Sequence, residues 1–82
     1  RSPLFGQVQL FPNPVRGELT AQLPNGLLPA RGQVFDSHGQ LIQQFILRHE
    51  QEQVDVRDLA AGQYWLQLKT AAGGMTVGFL KE

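Results

Sequence analysis

Short runs of alternating apolar and polar residues, each cut off by a turn-forming cluster, limit this chain to extended structure. The run Gln63–Thr70 is the clearest. Tyr64, Leu66 and Leu68 fall on one side of it, and Trp65, Gln67 and Lys69 on the other, the period of two that a half-buried strand requires. Met75, Val77 and Phe79 repeat the pattern late in the chain, and Leu19, Ala21 and Leu23 early. Nine glycines and five prolines are spread so that no segment reaches a comfortable helix length. Strands are expected at Val8–Phe11, Glu18–Leu23, Arg31–Asp36, Leu41–Leu47, Gln53–Val56, Gln63–Thr70 and Met75–Lys81.

The connectors turn for physical reasons. Pro12 and Pro14 fix φ and cannot donate to a ladder, so Phe11-Pro12-Asn13-Pro14 ends a strand and redirects the chain. In Asp36-Ser37-His38-Gly39, Gly39 is available for positive φ and Asp36 can bond the loop amides. Pro24-Asn25-Gly26 and Ala72-Gly73-Gly74 are further turns, and Asp58 is expected to cap the turn into Leu59. Gly62 opens the sixth strand where a left-handed or crowded backbone is expected. Seven short strands with turns at close spacing imply an all-β, immunoglobulin-like, seven-stranded antiparallel β-sandwich, with a small barrel as the alternative.

Eighty-two residues make one domain. The absence of cysteine leaves stability to packing alone. Lys+Arg and Asp+Glu are both 7, and the chain has no basic run, which gives no electrostatic footprint for nucleic acid or a membrane surface. The apolar runs are far too short for a spanning helix. No signal peptide is visible at Arg1; an exported protein would need one, so the chain is expected to be the end of something longer.

Catalytic constellations are missing from the pattern. His38 and His49 lie in or near loops, and His49-Glu50-Gln51-Glu52 reads as a solvated polar loop rather than a metal site. Asp55 and Asp58 lack calcium-loop spacing. None of Ser2, Thr20, Ser37, Thr70 and Thr76 sits in a nucleophile elbow, and Gly73-Gly74 lacks the lysine and helix of a phosphate loop. The expectation is a domain that is not an enzyme, with no cofactor, metal or small-molecule substrate. Tyr64 is expected in the core. Trp65 is expected to pack in a second layer; exposed beside Phe35, it would form a sugar- or partner-binding patch. Leu80, Lys81 and Glu82 are expected to fray, with Lys81 offering a compact positive charge.

Read in order, the turn motifs resemble the C-terminal sorting domain (type A) of cargo proteins exported by the type IX secretion system of Bacteroidetes. Leu10-Phe11-Pro12-Asn13-Pro14 matches its opening strand and turn, and Gly17-Glu18-Leu19-Thr20 the next strand. Val34-Phe35-Asp36-Ser37-His38-Gly39 matches its hairpin, and Val54-Asp55-Val56-Arg57-Asp58-Leu59 the strand and turn after it. Leu59-Ala60-Ala61-Gly62-Gln63-Tyr64 matches its Leu-x-Ala-Gly-x-Tyr signature, and Val77 to Lys81 its closing strand. The family's last strand commonly carries more lysine; here Gly78 stands among apolar residues and Glu82 follows Lys81.

The resemblance implies a secretion signal that sends an attached cargo across the outer membrane. It implies passage through the periplasm and arrival at the cell surface or outside. The implied partners are the outer-membrane translocon and its shuttle proteins, a sortase-like signal peptidase that usually removes the domain, and the covalently preceding cargo. Pro12, Asn13, Pro14, Asp36, Gly39, Leu59, Ala61, Gly62, Tyr64, Leu80 and Lys81 carry the motifs and are the expected recognition residues. Cleavage is expected upstream of the first strand, either near Arg1-Ser2 or further up the chain. An extracellular immunoglobulin-like adhesion or carbohydrate-binding module is the alternative, and it should show an exposed aromatic platform.

Overall fold

Each alternating run becomes a strand because only pairing into sheets can bury its apolar side and satisfy its backbone at once. The computed structural model describes residues 3–82, so Arg1-Ser2, one of the two expected places for cleavage, lies outside the described residues. The strands are β1 (Gln9–Phe11), β2 (Glu18–Gln22), β3 (Ala30–Asp36), β4 (Leu41–Leu47), β5 (Gln51–Asp55), β6 (Gly62–Thr70) and β7 (Gly73–Lys81). They form a three-stranded sheet in the order β1-β2-β5 and a four-stranded sheet in the order β4-β3-β6-β7. All strand pairings are antiparallel. This is the expected immunoglobulin-like sandwich, in the form where the fourth strand joins the third rather than crossing to the other sheet. The only helical pieces among the described residues are 3₁₀ turns at Pro3–Gln7 and Asn25–Leu27.

The core lies between the sheets. Leu19, Ala21 and Leu23 face Val34, Leu47, Leu66, Leu68 and Phe79 across it, and all are buried. Tyr64 is buried as expected and stacks on Phe79, with ring centroids 5.6 Å apart. Gly32 lies under the ring of Phe45: a Cβ there would stand 2.2 Å from Cε1, so no side chain fits without moving the ring. Gly32 therefore lets an aromatic from β4 close over β3.

Strand β5 starts two residues earlier than the sequence implied and stops one earlier. Gln51 and Glu52 pair with Gln22 and Ala21, a register their polarity hides. Val56 lies just past the end of β5, and its N–H still donates in register to Gly17 O (2.9 Å). A bulge between Val34 and Phe35 inserts one residue on the β4 side, so that Val34 faces Gln43 and Phe35 faces Leu41.

Candidate functional site: one end of the sandwich

Strand register brings the dispersed motifs together. Asp36 pairs with Tyr64, and Gly62 pairs with Lys81. The Asp36–Gly39 turn, the Leu59–Gly62 turn and the Leu80–Lys81 strand end therefore share one end of the four-stranded sheet. The Pro-Asn-Pro turn joins them through a parallel bridge between Val15 and Lys81.

Each segment is fixed by a polar side chain bonded to backbone. Asn13 Oδ1 accepts the N–H of Leu80 (2.9 Å). Leu80 O then accepts Val15 N–H, and Val15 O accepts Glu82 N–H, both at 2.8 Å. Pro12, Asn13 and Pro14 are exposed while Val15 is fully buried, so the turn hangs outside on an apolar anchor. In the β3–β4 hairpin, Asp36 Oδ1 accepts the N–H groups of His38 and Gln40, both at 2.9 Å. Those backbone donors, Gln40 first, hold the Asp36 carboxyl below its ordinary range. Gly39 has φ of +82°, as the turn requires.

The turn into Leu59 is built differently from the expectation. Asp55, not Asp58, holds it: Asp55 Oδ1 accepts Arg57 N–H at 3.0 Å, and Oδ2 accepts the Arg57 guanidinium at 2.8 Å. Bonding to that guanidinium is the main cause of the fall of the Asp55 pKa to about 2. The i,i+2 spacing of Asp55 and Arg57 was the overlooked signal. Leu59 is half-buried against the core, Ala61 is exposed, and Gly62 has φ of +150°. Tyr64 donates its hydroxyl to Ala60 O at 2.6 Å, the tie of a strand-six tyrosine to backbone just upstream that marks many such sandwiches.

Three further expectations are corrected. The final residues do not fray: bonds to Val15 and Asn13 hold the outer edge of β7 while β6 pairs with its inner edge, and Arg16 adds an exposed ion pair to Glu82 at 3.1 Å. Lys81 is not an exposed charge either. The residue is buried to 8% of its surface, and Nζ donates to Glu82 O at 3.0 Å. Trp65 is the third correction, since it is 44% exposed rather than in the core. Its indole lies over Gly78, where a Cβ would stand 2.7 Å from Cζ3. Gly78 is thus the seat of the indole. Directly across β3 from Trp65 is Phe35.

Among the described residues no group of histidine and carboxylate side chains could hold a metal ion. The His49–Glu52 loop is self-contained: Glu52 Oε2 accepts the N–H groups of Arg48 and His49 (2.8 Å to His49), with the Arg48 bond the main cause of its lowered pKa.

The profile of the secretion system C-terminal sorting domain matches residues 9–81. The fold is similar to part of PorZ, described as an essential bacterial surface component of the type IX secretion system of Porphyromonas gingivalis, with a TM-score of 0.81 and 18% identity. That likeness covers 99% of this chain and 12% of PorZ. No curated protein matches the chain.

Proposed function

This chain belongs to the family of secretion system C-terminal sorting domains, and we propose that it works by presenting the four-segment end of its sandwich as one rigid surface. The domain is a secretion signal of the type IX kind, which implies export of what it is joined to toward the cell surface or the extracellular space. Its family is not a catalytic one. In our reading the chemistry belongs to a sortase-like signal peptidase, for which this domain is the substrate, and the cargo precedes it covalently. Transit runs through the periplasm, and the outer-membrane translocon with its shuttle proteins is the reader.

One observation carries the proposal: motifs separated by up to 67 positions, Asn13 and Leu80, are bonded to one another. A reader of the folded domain would meet Pro12–Pro14, Ser37–Gly39, Ala61 and the Leu80 side chain as neighbours, all exposed. Asp36, Gly62, Tyr64 and Lys81 shape that surface from behind. The test is to fuse residues 1–82 behind a periplasm-targeted reporter in a bacterium with type IX machinery. Surface display of the reporter is expected. Retention in the periplasm with the domain folded would refute the reading.

The exposed indole of Trp65 favours a second activity beside sorting, binding by an aromatic platform, without displacing the first.

A further inference from the structure

The outward face of the four-stranded sheet has a composition unlike the rest of the molecule. Its outward positions are Arg31, Gln33 and Phe35 on β3, with Gln63, Trp65, Gln67 and Lys69 on β6. Beside them stand Leu41, Ile42, Gln44 and Ile46 on β4 and Gly74, Thr76, Gly78 and Leu80 on β7. Not one is acidic. The three-stranded sheet is the reverse: its strands carry Glu18, Glu52 and Asp55 and no lysine or arginine. Within the strands, the exposed cations Arg31 and Lys69 therefore stand on one sheet and three of the four carboxylates on the other.

The cationic side chains on this face also make no ion pair among the described residues. Arg31 pairs in register with Lys69, and Arg48 shares a shallow recess with Arg31 and Ile46. Among the described residues the ion pairs are Arg16–Glu82, His49–Glu52 and Arg57–Asp55, so none involves Arg31, Arg48 or Lys69. Between the cations and the aromatic pair runs a polar row, Gln44, Gln33, Gln67 and Thr76, in which Gln33 donates to Gln44 at 3.5 Å. Arg31 to Phe35, like Lys69 to Trp65, is four strand residues, roughly 13 Å.

We propose that this face binds an acidic glycan, with one sugar stacked on Trp65 and carboxylate groups further along the chain held by Arg31, Lys69 and Arg48. The charge is complementary to an anion. The exposed indole over Gly78 provides a flat apolar platform, and the glutamine row supplies donors and acceptors for hydroxyls. An acidic protein surface would use the cations but has no need of the platform and amide row. The inference is independent of the sorting role.

The test uses the 82-residue chain, whose only tryptophan is Trp65, so its fluorescence reports the site itself. Oligogalacturonate is expected to shift Trp65 emission, and its neutral methyl ester to bind about tenfold more weakly. By calorimetry, the Arg31→Gln/Lys69→Gln double variant and Trp65→Ala are each expected to lose about tenfold in affinity, with Trp65→Tyr restoring most of it and melting temperatures unchanged. Failure of oligogalacturonate to bind would overturn the proposal. Equal binding of the methyl ester would overturn the acidic requirement. Poly-glutamate bound as tightly, with no loss in Trp65→Ala, would assign the face to an acidic protein instead.

Discussion

At the end of the sandwich that gathers Pro12–Pro14, Asp36–Gly39, Leu59–Gly62 and Leu80–Lys81, polar side chains bond to nearby backbone. Asn13, Asp36, Asp55 and Tyr64 all do so. Toward the other end, Arg31, Arg48 and Lys69 are exposed, and their side chains form no ion pair among the described residues. The first end is built to hold a shape, while the second leaves its charge available. Asp36, Leu59, Gly62, Tyr64 and Lys81 hold that shape from behind, and the exposed motif residues are what a partner can touch.

The largest expected effect breaks the first end from inside. Tyr64→Ala removes a buried ring stacked on Phe79 and should lower stability by about 3–5 kcal/mol, read by chemical denaturation. Tyr64→Phe keeps the ring and leaves the Ala60 carbonyl without its donor, for about 1–2 kcal/mol. An unaffected Tyr64→Phe protein would show that the tie to Ala60 is incidental.

Next comes the strand end. Deleting Lys81 and Glu82 removes the Glu82–Val15 bond and uncovers Val15, which is fully buried; a loss of about 1–3 kcal/mol is expected. Asn13→Ala removes one bond and should cost about 1 kcal/mol. A melting temperature unmoved by the deletion would return these residues to the frayed state that sequence alone implies.

The fold was readable because alternation and turn chemistry agree. Tyr64, Leu66 and Leu68 fixed the inward face of β6, and Asp36 with Gly39 fixed a hairpin. The site was readable as separate motifs but not as one surface. Nothing local announces that Asn13 will meet Leu80, since that contact depends on how two sheets close. Burial of Lys81 was hidden for the same reason: its cover, Val15, is far away in sequence. Trp65 misled because large aromatics are usually core residues; the absent side chain at Gly78, its seat, was visible but had no stated partner.

Acid should weaken both ends unequally. Asp36 and Asp55, at the motif end, and Glu52, at the other, have folded pKa values below their ordinary ones, to about 2 for Asp55. Their stabilisation is complete above their unfolded values, roughly pH 5 and higher, and is lost as pH falls through the folded ones. Melting temperature should be flat from pH 7 to about 5 and then decline toward pH 2. With two of the three groups at the motif end, Asp36→Asn should flatten part of that decline. The smallest effect belongs to the free cations: Arg31→Gln and Lys69→Gln should change stability by less than about 0.5 kcal/mol. A larger loss would mean that they are structural after all.

If the folded motif end is the export signal as a surface, changing what it exposes must stop export while leaving the fold intact. Leu80 is the residue to change, because its backbone N–H and C=O are both bonded to the Asn13–Val15 segment while its side chain is 42% exposed. Leu80→Glu changes what a reader meets and leaves those bonds in place. In the reporter fusion, surface display and melting temperature should be measured on the same protein, with Lys69→Gln as the control. Leu80→Glu is expected to abolish display with a stability change within about 1 kcal/mol, and Lys69→Gln to be displayed normally. Undiminished display of a folded Leu80→Glu fusion would contradict that role for the surface.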